Sequence, residues 1–167
     1  MKKYEFTGET KINFLGHKLF RIRALISFGF VEAGDLGGWI EKEENLDHDG
    51  KAWVWGNAKV CGDAKVWGNA EVWGNAEVFS LDHILVVGPV GSRSDFTTFF
   101  RDKDNEITVK CGCFLGKIDK FLEKVAQTHG DNKHALVYRA AVEVAKLQID
   151  LTGKAPEKDE SEDKSNE

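Results

Sequence analysis

Residues 54–79 read VWGNAKVCGDAKVWGNAEVWGNAEVF, a near-perfect six-residue repeat that restricts the fold more than any other feature of the chain. Val54, Val60, Val66, Val72 and Val78 recur at one position, and Ala58, Ala64, Ala70 and Ala76 each follow a Val by four. An α-helix, at about 3.6 residues per turn, would scatter these positions around its axis. A period of six with glycine in each unit instead marks a chain that winds back on itself and stacks equivalent side chains. Gly56-Asn57, Gly62-Asp63, Gly68-Asn69 and Gly74-Asn75 supply the corners, because Gly, Asn and Asp tolerate left-handed backbone angles. Val is expected inside, with Ala in the tight bend.

These units, with AGDLGGWIEKEENL before them, resemble the hexapeptide-repeat proteins, small bacterial members of which are labelled transferases. The resemblance implies a left-handed parallel β-helix with about eighteen residues per triangular coil. The handedness comes from the resemblance, since the general rule for parallel connections gives the opposite hand. Carried backward, the phase puts Leu36 on the Val position and Ile40, Leu46 and Ala52 on the Ala position. Lys42 and His48 then stand where aliphatic residues belong, so this coil is expected to be distorted or looped outward at EKEENLDHDG. The helix would hold about two and a half coils over residues 36–80.

The residue after each Val points away from the axis. Trp55 and Trp73, eighteen apart, therefore share one outer face at a spacing of ~4.8 Å, Cys61 and Phe79 share a second, and Trp67 stands on a third. Such faces are not left wet: either flanking segments or sister subunits cover them, or they form a groove for a partner. Trp55, Trp67 and Trp73 are the candidate partner-binding residues.

The flanks are candidate covers. Residues 1–35 read as short strands with Gly16 in a turn, an N-terminal β cap in which Phe20, Ile22, Ala24 and Ile26 alternate against Arg21, Arg23 and Leu25. Residues 81–152 read as an α+β module: HILVVG, FTTFFR and EITVKCGCF as a small antiparallel sheet, then two helices. Ile118, Phe121, Leu122 and Val125 make the first helix's inner stripe, which Gly130 ends. Asp131 is expected to cap the second, with Val137, Ala140, Ala141, Val144 and Leu147 inward. The fold class is thus mainly β: a short left-handed parallel β-helix with an N-terminal β cap and a C-terminal α+β module.

At 167 residues and 41% hydrophobic content the chain can bury a substantial core. Residues 153–167, GKAPEKDESEDKSNE, carry six acids and three lysines and are expected to be a disordered acidic tail. The tail accounts for −3 of the net charge of −5, leaving the body too near neutral for a duplex nucleic-acid footprint. No apolar run reaches the ~18 residues of a membrane span, and no secretory pattern opens the chain, so a cytoplasmic location without membrane partners is expected. Cys61, Cys111 and Cys113 are few and odd in number, as in a reducing compartment.

Two constellations bear on chemistry. Cys111, Cys113, His129 and His134 have the residue types of a zinc site, but CGC is tighter than structural sites use. Ile107, Val109, Cys111 and Cys113 share strand parity, so the cysteines read as core, the histidines as helix-end residues, and no metal or cofactor is expected. GPVGSRSDFTT, residues 88–98, places Gly91, Ser92, Arg93 and Ser94 in a loop that either simply joins two strands or presents backbone N–H groups, hydroxyls and a guanidinium to an anionic ligand.

GPVGSRSDFTTFF, CGCF and THGDNKHA resemble a C-terminal module of phage and prophage versions of the hexapeptide group. That resemblance implies a mobile-element protein. The function expected is a non-catalytic binding protein that counters host defence by binding a host protein or a nucleotide signal in the host cytoplasm, as a homo-oligomer. Two alternatives come from other classes. One is a hexapeptide-type acyltransferase with His48 as general base; the other is a structural protein that oligomerises through its ladder.

Overall fold

The computed structural model describes residues 1–153; the remainder of the acidic tail lies outside the described residues. β1 (Tyr4–Ile12) and β2 (Lys18–Ala24) form an antiparallel hairpin, and β3 (Leu36–Ile40) pairs antiparallel with β2. The repeat then supplies four strands of two residues each, β4 (Trp53–Val54), β5 (Lys59–Val60), β6 (Glu71–Val72) and β7 (Glu77–Val78). Strands this short follow from the repeat itself, since a glycine in left-handed geometry, at Gly56, Gly62, Gly68 and Gly74, turns the chain every six residues. Parallel partners lie eighteen residues apart, Val54 beside Val72 and Val60 beside Val78. All five repeat valines are fully buried, and the four repeat alanines pack with them in one apolar cluster.

The expected short left-handed parallel β-helix with an N-terminal β cap and a C-terminal α+β module is corrected by the sheet topology. The described residues form three sheets: a mixed five-stranded sheet in the order β1-β2-β3-β5-β7, a two-stranded parallel sheet β4-β6, and a four-stranded antiparallel sheet further on. The hairpin is no detached lid. Its strand β2 hydrogen-bonds to β3, and β3 carries the same sheet into β5 and β7, so hairpin and repeat share one ladder. On the remaining side Leu46 and Val66 make an isolated bridge.

The first pass of the chain is also out of the expected phase. Ile40 pairs with Val60 and Leu46 bridges Val66, each twenty residues on, so both occupy the Val position. Trp53 pairs with Glu71 at eighteen, which places two extra residues between Leu46 and Ala52. Leu36 is 47% exposed rather than internal. The extra corner receives the N-terminus: Lys3 Nζ donates to Ala52 O at 2.7 Å, and Lys3 N donates to His48 Nδ1 at 3.1 Å.

The four-stranded sheet contains β8 (Ile84–Val90), β9 (Asp95–Arg101), β10 (Ile107–Cys111) and β11 (Phe114–Lys117), in the order β11-β10-β9-β8. Its alternating faces meet different neighbours. Phe100, Ile84 and Val86 pack on the repeat cluster, whereas Phe99, Val109, Leu85 and Val87 pack on helices α1 (Ile118–His129) and α2 (Lys133–Gln148). Arg101 joins sheet to repeat: it is 2% exposed, its Nε donates to Glu77 O at 2.9 Å, and its guanidinium lies 4.9 Å from the Phe79 ring centroid. The helix α2 turns differently from expectation. Asn132, not Asp131, caps it by accepting from Ala135 N at 3.1 Å, and Ala135, Tyr138, Ala141, Val142 and Ala145 face inward while Ala140, Val144 and Leu147 are exposed. Among the described residues no helix is long and apolar enough to cross a membrane.

Candidate functional site

The β8–β9 turn carries the loop singled out in the sequence. Gly91 (φ 78°) and Ser94 (φ 50°) are both left-handed, and Ser94 N donates to Gly91 O at 3.2 Å, closing the turn. A Cβ on Gly91 would lie 1.9 Å from the Tyr138 hydroxyl oxygen, so only glycine lets the loop settle on α2. Ser92 and Arg93 then project over a cleft of about 210 Å³.

The opposite wall is the β10–β11 turn. Cys111 pairs with Phe114, leaving Gly112 and Cys113 as the two turn residues. Cys113 is therefore exposed, not core, while Cys111 is half-buried: it receives Thr97 Oγ1 at 3.3 Å and donates to Tyr138 Oη at 3.8 Å. Burial, with the Cys111 thiol beside it, pushes the Tyr138 phenol up to about 12, so it stays a neutral donor and acceptor at ordinary pH.

The helices and the start of β11 supply an aromatic floor. Phe121 meets Tyr138 edge-on at 5.5 Å, Phe114 meets Phe121 at 5.5 Å, and His129 lies 5.8 Å from Tyr138. Lys124 and Thr128 stand along the same side of α1, so the rim carries Arg93 and Lys124 against a single carboxylate, Asp95. The structure thus brings Ser92, Arg93, Cys111, Cys113 and His129, read from the sequence as two separate constellations, to one cleft. Gly91 and Ser94 shape the loop without lining it. His134 touches His129 at 5.4 Å, but the four Cys and His residues do not gather their donor atoms within 4.8 Å of one another. Lys124, Phe114 and Tyr138 were missed. The spacing Phe121, Lys124, Val125, Thr128 on one helix face was the signal available for Lys124.

The tryptophans divide three ways. Trp55 and Trp73 stack at 4.2 Å with 12° between their planes, both half-buried, and Lys110 Nζ lies 5.0 Å from the Trp73 ring centroid. The Cys61 and Phe79 face is covered by Leu19, Phe14 and Trp39 from the hairpin and β3. Trp67 is 64% exposed beside a second cavity of about 310 Å³, whose walls include Glu43, Glu44, Asp47 and His48.

His48 stacks on Tyr4 at 4.3 Å, and its Nε2 lies 3.7 Å from Glu43 Oε2. Because Nδ1 accepts the Lys3 N–H, the ring proton sits on Nε2. Neither nitrogen has a free lone pair with which to take a proton from a substrate. No protein-family model and no curated protein matches the chain.

Proposed function

We propose that the chain is a non-catalytic binding protein that takes a nucleotide-type ligand in the cleft between the 91–94 loop, the 111–113 turn and the two helices. One observation carries this reading: a rim with two cations converges with a floor of aromatic rings. At about 210 Å³ the cleft admits one ring system, which packs against Phe114, His129 and Tyr138 and leaves the charged part of the ligand at the rim with Arg93 and Lys124. Ser92 and Asp95 are placed for a sugar hydroxyl or a base amino group.

Following the resemblance of GPVGSRSDFTTFF and THGDNKHA to phage modules, we assign the protein to a host cell's cytoplasm, where it withdraws a nucleotide defence signal by binding it. The exposure of Trp67 favours a second reading, contact with a host protein through that face. The test is a thermal-shift and calorimetric screen against mono-, di- and cyclic nucleotides. A ligand at a hundred times its Kd raises stability by about 2.7 kcal/mol. No shift with any nucleotide would reject the ligand class.

A further inference from the structure

Outside the cleft, one group among the described residues brings three different ligand types together: His17, Glu41 and Cys61 have donor atoms all within 4.8 Å of one another. They come from three separate elements. His17 ends the β1–β2 turn, Glu41 follows β3 and Cys61 follows β5, so the shared five-stranded sheet is what assembles them.

Each donor is held by a second contact. Asn13 Oδ1 accepts from His17 N at 2.9 Å and from Leu15 N at 3.0 Å, which fixes the turn that presents His17. Glu41 Oε2 accepts from Gly62 N at 2.7 Å while Oε1 faces His17 Nδ1 at 2.8 Å. Asn13 Nδ2 donates to Cys61 Sγ at 3.5 Å, the hydrogen bond an outer-sphere amide gives to a metal-bound thiolate. Cys61 is 1% exposed among Leu19, Phe79, Phe14 and Trp39, whereas His17 and Glu41 open to solvent at 38% and 27%.

We propose that His17 Nδ1, the Glu41 carboxylate and Cys61 Sγ bind one zinc-class divalent ion, with water as the fourth ligand on the open side. One thiolate, one imidazole and one carboxylate is a donor set that suits zinc and disfavours calcium or magnesium. The thiolate and carboxylate charges cancel those of the ion, so the half-buried site is neutral. On binding, the Cys61 thiol proton leaves to solvent and the imidazole carries its proton on Nε2. The metal draws the thiol into the thiolate form that binds it. The bound ion ties the β1–β2 turn to β3 and β5.

The test is titration of the metal-free full chain with Zn2+ against a chromophoric chelator, and with Co2+ followed by absorption. The expected result is one ion per chain, a thiolate-to-cobalt charge-transfer band, and a rise in Tm with Zn2+. Cys61→Ser should abolish the band. Glu41→Gln and His17→Gln, at partly exposed positions, should each weaken Zn2+ binding at least tenfold at an unchanged urea midpoint, while Cys111→Ser and Cys113→Ser leave it unchanged. Absence of stoichiometric binding, or binding that survives all three ligand substitutions, would overturn the site.

Discussion

Gly91 shows how one missing side chain positions the cleft. Its Cβ would meet the Tyr138 hydroxyl at 1.9 Å in a backbone conformation that L residues avoid. Gly91→Ala should therefore cost about 1–3 kcal/mol in chemical denaturation and lower nucleotide affinity at least tenfold by calorimetry, because the loop that carries Arg93 must lift. His83 sets a pH dependence. Its Nδ1 accepts the Phe79 N–H at 3.0 Å, and burial, aided by Arg101, lowers its pKa to about 4. The folded state thus resists protonation more than the unfolded chain does. The stability this gives is full above about 6.5 and is lost as pH falls toward 4. Buried Glu77, whose pKa is raised by desolvation, contributes with the opposite sign, so the difference between wild type and His83→Gln isolates the histidine. Urea midpoints at pH 7 and pH 4.5 should fall further for wild type than for His83→Gln. At this scale the repeat was legible, because glycine corners and buried valines are properties of single positions. Tyr138 was not, since its role depends on a loop some fifty residues earlier in the chain.

At the scale of elements, the Trp ladder resolves into one stack and one exposed ring. Trp55 and Trp73 are held face to face at 4.2 Å, and among the described residues no aromatic ring stacks on Trp67. Trp55→Ala should destabilise by about 2 kcal/mol in urea denaturation, the loss of a half-buried stacked ring, while Trp67→Ala should stay within about 0.5 kcal/mol. The inner stripe of α1, with Phe121 and Val125 buried, was readable because its apolar residues fall on one side. The stripe of α2 was not. Apolar residues lie on several of its faces, and which face turns inward is set by the Asn132 cap and by packing beneath Tyr138 and Val142, neither of which periodicity alone specifies. Cys113 was misplaced for a related reason. Strand parity holds only while the strand lasts, and the β10–β11 turn begins one residue before it.

For the whole molecule, the repeat showed that its valines and alanines point inward but not how the strands group into sheets. That grouping depends on hydrogen bonds between positions eighteen or twenty residues apart, and on the N-terminal hairpin joining the repeat's own ladder. Two extra residues at the 47–51 corner shift the register of the first pass, and only the tertiary pairing reveals them. The C-terminal sheet then carries two duties. One face closes the repeat, with Arg101 against Glu77 and Phe79, and the other supports the helices that floor the cleft. The cleft could not be seen in the sequence as a unit, because its walls come from the β8–β9 turn, the β10–β11 turn, one face of α1 and Tyr138 of α2. The most direct measurement is isothermal titration of mono-, di- and cyclic nucleotides into the wild-type chain, Arg93→Ala and Lys124→Ala. The expected result is one nucleotide bound per wild-type chain, with each variant binding at least tenfold more weakly at an unchanged urea midpoint. Failure of every nucleotide to bind, or an affinity equal to that of wild type in both variants, would contradict the assignment of the cleft as a nucleotide site.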